Sequence, residues 1–96
     1  MQYIRLNEYE ISENLKKLNS WQILEGRLTK EFEFKTFKEA ISFVNKVADL
    51  ADQINHHPDI TINFTKVRLS VTTHFTKCLT NKDFELAEKT DCILQI

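Results

Sequence analysis

The chain carries three histidines, His56, His57 and His74, and all of them fall between positions 56 and 74. Histidine is the side chain whose ordinary pKa lies near neutrality, so a group of them can both give and take a proton at working pH. Asp52 stands four residues before His56. On a helix it would lie one turn back on the same side, where a carboxylate can orient an imidazole or hold a substrate. Asp83 stands nine residues after His74 and three after Thr80.

Each of these residues also has an ordinary structural use. A histidine at a helix end caps it, Asp83 can cap a helix that begins at Thr80, and Asp52 can be one more exposed charge. A three-histidine zinc site is an alternative, but no glutamate-flanked zinc motif is present and adjacent histidines are awkward joint ligands, so no metal is expected. The chain has no glycine-rich phosphate loop and no nucleophile elbow. Cys78 lacks a local signature for thiol chemistry, and Ser70 and Thr73 lack a triad context. The residues alone carry the reading as far as a histidine acid–base site on a small domain.

The elements that must position these groups follow from periodicity. Thr36 and Glu39 have capping-box spacing, and Phe37, Ala40, Ile41, Val44, Val47, Ala48, Ala51 and Ile54 then recur at helical intervals. That predicts a helix about 28 Å long at the standard rise per residue, ending near His56. Pro58 disfavours helical geometry at His57, so the chain turns extended there. Ile60, Ile62 and Phe64 alternate, as do Val67, Leu69, Val71 and Thr73, which predicts two strands around a turn near Thr65 and Lys66. Arg68, Ser70, Thr72 and His74 then face away from the core set.

Upstream, Ser12 to Leu18 reads as a short helix with Ser12 as its N-cap. Trp21 to Leu24 reads as a strand and Gly26 as a turn. Leu28, Phe32 and Phe34 mark the next strand. Thr80 and Asp83 start a last helix with Phe84, Leu86 and Ala87 on its apolar side. The expected fold is α+β: a four-stranded antiparallel sheet with helices on one face, in the order α-β-β-α-β-β-α, forming a single domain over residues 1–96.

With 96 residues the core is thin, and oligomerisation would help it. A formal net charge of −1 supplies no global field for a polyanion, so direct nucleic-acid binding is not expected. No apolar run approaches membrane-spanning length. Cys78 and Cys92 match no disulfide framework or redox motif, and the first eight residues show no signal-peptide character, so a cytoplasmic location is expected.

The combination of Asp52, His56-His57-Pro58, Phe64, Thr73-His74, Leu79-Thr80 and Asp83 resembles the pterin-4a-carbinolamine dehydratase family. That family's pattern has an acidic residue four before the first histidine and an aromatic seven after the second. A further histidine follows ten residues later, and an aspartate nine beyond that. This chain meets every spacing. Trp21, the Phe32 and Phe34 strand, and the Phe37-Ala40-Phe43-Val44-Val47-Ala48 helix add to the likeness, which runs from about Leu18 to Ile93.

The resemblance implies a 4a-hydroxytetrahydropterin substrate dehydrated to quinonoid dihydropterin, as in tetrahydrobiopterin recycling, with no cofactor and with a homodimeric or homotetrameric assembly. It implies that His56, His57 and His74 are catalytic, with acid and base undecided among them. Thr72 and Thr73 would offer backbone groups to the pterin edge, and Asp52 and Asp83 would orient histidines or bind pterin nitrogens. Two positions depart from the pattern. Ile60 stands where an aromatic is common, which leaves one pocket wall open, and Cys78 stands where glycine is usual, which implies a different loop between His74 and Asp83. The alternative is a non-catalytic protein-binding or assembly module on the same fold, with the long helix as its contact surface; related domains take such roles.

Overall fold

The computed structural model describes residues 2–94. Helix α1 spans Glu8–Lys16 and begins at Asn7, not at Ser12. Asn7 and Glu10 form a reciprocal capping box, so the first backbone donors are satisfied there and Ser12 falls inside the helix. Strands β1 (Gln22–Leu24) and β2 (Arg27–Glu33) form a hairpin whose two turn residues, Glu25 and Gly26, both have positive φ, at 52° and 75°. That backbone matches the right-handed twist of the strands it joins, and glycine adopts it without strain.

Helix α2 spans Phe37–Ile54, as its periodicity predicts. Thr36 accepts from the Glu39 backbone N–H, while the Glu39 carboxylate reaches back to the N–H of Lys35, one residue earlier than a full capping box would place it. The helix stops at Asn55, which adopts the left-handed region at φ 54°. Strands β3 (Asp59–Asn63) and β4 (Lys66–Val71) follow. Phe64 was expected to continue the β3 alternation. It instead occupies the turn at φ 56° and is 70% exposed. Helix α3, Asn81–Ile93, begins at Thr80 with the Thr80–Asp83 capping box complete.

The strands form one antiparallel sheet in the order β1-β2-β4-β3. Register places Leu28 opposite Val71 and Phe32 opposite Val67. These residues and Leu69 bury against Ala40, Phe43, Val47 and Ile54 of α2 and Phe84, Leu86 and Ala87 of α3. The other face is polar: Glu31 opposes Arg68, Glu33 opposes Lys66, and Thr29 opposes Ser70. The order α-β-β-α-β-β-α and the α+β class are thus as expected.

Two features bear on what lies outside the core. Asp91 of α3 accepts from Trp21 Nε1 and from Lys30 Nζ, both at 3.0 Å, which ties the end of α3 to the first hairpin. Helix α2 also carries a second apolar line. Phe37 and Ala48 are exposed and Ile41 and Val44 half-buried, and Phe37 stacks on the exposed Phe64 at 6.5 Å.

Candidate active site

The end of α2, the start of β3 and the end of β4 meet at one end of the sheet, and they bring the histidines there. His56 is the enclosed one, 8% exposed. Because Asn55 turns left-handed, the His56 N–H still bonds back to Ala51 O, and the ring swings under the sheet end toward α3. There His56 Nε2 donates to Asp83 Oδ1 at 2.7 Å. Asp83 is fully buried, and its second oxygen, Oδ2, accepts from the Thr80 N–H and from Thr73 Oγ1, each at 2.9 Å. Thr73 has a single hydroxyl proton and gives it to Asp83, so in the 2.9 Å Thr73–Thr80 contact the Thr80 hydroxyl is the donor. The direction of the network is therefore set: Thr80 to Thr73, Thr73 to Asp83, and His56 to Asp83.

A carboxylate that accepts from Nε2 fixes the neutral imidazole with its proton on that nitrogen and its lone pair on Nδ1. Among the described residues no hydrogen bond is made to His56 Nδ1. The Asp83 side chain has no exposed surface, and one of its oxygens is taken up by His56. The Thr73 side chain is equally enclosed, at 1% exposure.

The other two histidines differ. His57 Nε2 meets Asp52 Oδ1 at 2.9 Å, but these side chains are 57% and 80% exposed. His74 is exposed, opens the short 3-10 turn His74–Thr76, and bonds no other side chain among the described residues. The turn is closed by a bridge between Thr73 and Cys78 and by Thr76 Oγ1, which accepts from the Cys78 N–H and has the carbonyls of Thr73 and Cys78, each at 2.9 Å, as alternative acceptors for its single proton. The left-handed residue of this loop is Lys77, at φ 57°, so Cys78 does not occupy a position that needs glycine. Thr72 is half-buried at the end of β4. The Cys78 thiol is held below its ordinary value, first by a hydrogen bond from Thr76 and next by one from Arg5, whose Nε lies 3.4 Å from the sulfur.

One contributor has no motif to announce it. The segment from Gln2 to Leu6 runs along the loop before α3: Ile4 N donates to Asn81 Oδ1 at 2.7 Å, Asn81 N to Ile4 O, and Leu6 N to Leu79 O. It thereby lays Tyr3 against the site, with its ring 5.7 Å from the His56 ring and 4.9 Å from Phe75. Five surface clefts of about 260 to 340 Å³ lie on other parts of the chain, and none is lined by a histidine. Among the described residues, no three His, Cys, Asp or Glu side chains converge as a metal site would require. No helix among them is long and apolar enough to cross a membrane.

Comparison with known proteins gives this geometry a family. Residues 4–93 match the model described as pterin 4 alpha carbinolamine dehydratase. The chain belongs to the pterin-4-alpha-carbinolamine dehydratase family. A relative from Sulfurisphaera tokodaii, provisionally named for that activity, is 44% identical over 90 residues, covering 94% of this chain and 97% of the relative. One from Roseiflexus, named in the same way, is 46% identical with the same coverage. The crystal structure of a transcriptional coactivator/pterin dehydratase from Brucella melitensis superposes with a TM-score of 0.87 at 34% identity, covering 93% of this chain and 97% of that one. A pterin dehydratase-like RuBisCO assembly factor of the alpha-carboxysome shares the fold, with a TM-score of 0.66 at 21% identity over 77% of this chain and 88% of that one.

Proposed function

We propose that the protein dehydrates a pterin-4a-carbinolamine to the quinonoid dihydropterin by histidine acid–base catalysis, in the recycling of a tetrahydropterin. The hydroxyl on C4a is a poor leaving group until it is protonated. It departs as water while N5 loses its proton and the C4a=N5 double bond forms, so one acid and one base balance the reaction. Positioned groups of this kind typically contribute about 10²–10⁴-fold each. The observation that carries the reading is the enclosed His56–Asp83 pair, which in the neutral imidazole leaves the lone pair on Nδ1 and supports assigning His56 as the base of this scheme. His74, exposed and free of side-chain partners among the described residues, is its acid. In this scheme His57, steadied by Asp52, binds the polar edge of the ring, and backbone groups of Thr72 and Thr73 are assigned to the same edge.

The second apolar line of α2, with Phe64 beside it, supports a homo-oligomer that covers this surface. The same surface favours a second reading, in which the chain binds another protein without catalysis, a role in keeping with the coactivator named for the Brucella melitensis relative. A spectroscopic dehydration assay on purified protein, with metal chelator present, separates the two. Turnover that is lost in His74→Ala supports the enzyme. A wild-type protein that accelerates nothing while holding a stable partner supports the binding module.

A further inference from the structure

Phe75 is a large apolar side chain, 71% exposed, and it directly follows His74. An exposed aromatic on a surface turn ordinarily gains nothing from a fixed position, yet this one is held. Tyr3 meets it in a T-shaped contact with an interplanar angle of 88°. Tyr3 is itself fixed by the strap of hydrogen bonds along the α3 loop and by the His56 ring. In either sense of a T-shaped contact, at least one face of the Phe75 ring stays open. The chain therefore holds a flat, exposed apolar ring that adjoins His74 in sequence and shares with His56 the contact of Tyr3.

We propose that Phe75 is a substrate-positioning residue on whose open face the bicyclic ring of the substrate stacks. Tyr3 is the brace that orients Phe75 and keeps water from the near side of His56. This inference rests on the dehydratase reading of the cluster and adds to it the element that recognises a flat heteroaromatic ring. The histidines can exchange protons with the polar edge of such a ring, but they do not hold its plane. Stacking on an exposed aromatic does, and it is indifferent to the substituents on the ring edge.

The test is binding of an unreactive 7,8-dihydropterin, followed by ligand fluorescence, together with steady-state dehydration. In Phe75→Leu the dissociation constant rises about tenfold or more. The larger part of the loss in kcat/KM falls in KM, and Phe75→Trp recovers most of it. Tyr3→Ser, which removes the brace and leaves the platform, shifts the same constants by a smaller factor. Unchanged binding in Phe75→Leu, beside a wild type that binds and turns over, overturns the platform and leaves the dehydratase reading intact. A wild type that binds dihydropterin through Phe75 but dehydrates nothing upholds the platform and overturns the catalytic reading. A wild type that binds no pterin overturns both.

Discussion

Asp83→Asn probes the site more sharply than removal of any histidine. Aspartate 83 accepts three hydrogen bonds: Oδ2 takes those of Thr80 N and Thr73 Oγ1, and Oδ1 takes that of His56 Nε2. An asparagine of the same shape has one accepting oxygen. Placing it at Oδ2 keeps the two threonine contacts and aims the amide N–H group at His56 Nε2, 2.7 Å away in the wild type. Two N–H groups cannot share that line, so His56 must carry its proton on Nδ1 and accept at Nε2. The nitrogen that offered a lone pair then bears hydrogen.

The three contacts survive in number but lose the negative charge that strengthens them, a change of about 1.5–3 kcal/mol in all. At about 4–8 °C per kcal/mol in a domain of this size, the melting temperature falls by about 6–24 °C with folding retained at 25 °C. Turnover falls by about 10²–10⁴-fold, the usual worth of one positioned proton-transfer group. Thermal unfolding, the dehydration assay and long-range ¹H–¹⁵N spectra of the imidazoles are measured on the same sample. A folded Asp83→Asn protein that keeps the Nε2–H tautomer, or keeps wild-type turnover, refutes the assignment of Asp83 as the group that orients His56.

Further outcomes follow from other contacts. His74→Ala should lower turnover by about 10²-fold or more while changing stability by less than about 0.5 kcal/mol, because the ring is exposed and unpaired among the described residues; chemical denaturation beside the assay checks both. Glu85 is held below its ordinary carboxyl value of 4.5 by Lys82 and then Lys89, so its contribution is complete above about pH 4.5 and is lost as pH falls through the lower folded value. Glu85→Gln should therefore cost about 0.5–1 kcal/mol at pH 7 and progressively less as the pH is taken below 4.5, as read by urea unfolding across that range. The Cys78 thiol should be alkylated with a pH midpoint below that of a free thiol, and Thr76→Val and Arg5→Ala should each move the midpoint upward in a rate profile with iodoacetamide. Phe37→Glu, on the second apolar line of α2, should shift an oligomer toward monomer in sedimentation velocity with α2 still folded, since Phe37 is 50% exposed in one chain.

Much of the fold is legible because its signals are local. The spacing of Ala40, Val47, Ala51 and Ile54 predicts α2, and Pro58 predicts where it gives way to β3. The start of α1 is misread because Ser12 and Asn7 are both good caps, and only the reach of Glu10 back to the Asn7 N–H decides between them. Phe64 is misread because apolar alternation cannot show where a hairpin turns. The pairing of Asn63 with Lys66 leaves Phe64 in the turn. Within the site, the four-residue interval that ties Asp52 to this end of α2 is visible, although the carboxylate meets His57 rather than His56. The His56–Asp83 contact joins residues 27 apart and becomes predictable only through the family pattern. Tyr3 is invisible in sequence, because its place depends on Ile4 and Leu6 finding Asn81 and Leu79 at the far end of the chain.

Read alone, the spacing from Thr80 to Asp83 is an ordinary capping box, and the structure shows that box complete. The cap and the orienting group are nonetheless one object. A capping box fixes the carboxylate at the third position of a helix by the Thr80 N–H, and the positive end of the helix dipole favours negative charge there. That leaves one oxygen of a rigid, desolvated carboxylate pointing away from its own helix. In this fold the direction is toward the end of α2, where the left-handed Asn55 swings His56 to meet it. The rigidity that a proton-transfer site needs thus comes from backbone capping that the helix requires in any case. Weakening the cap with Thr80→Val should therefore disturb the His56 tautomer as well as the stability of α3, whereas an equal loss of stability placed at Thr36, the cap at the opposite end of α2 from His56, should leave the tautomer untouched.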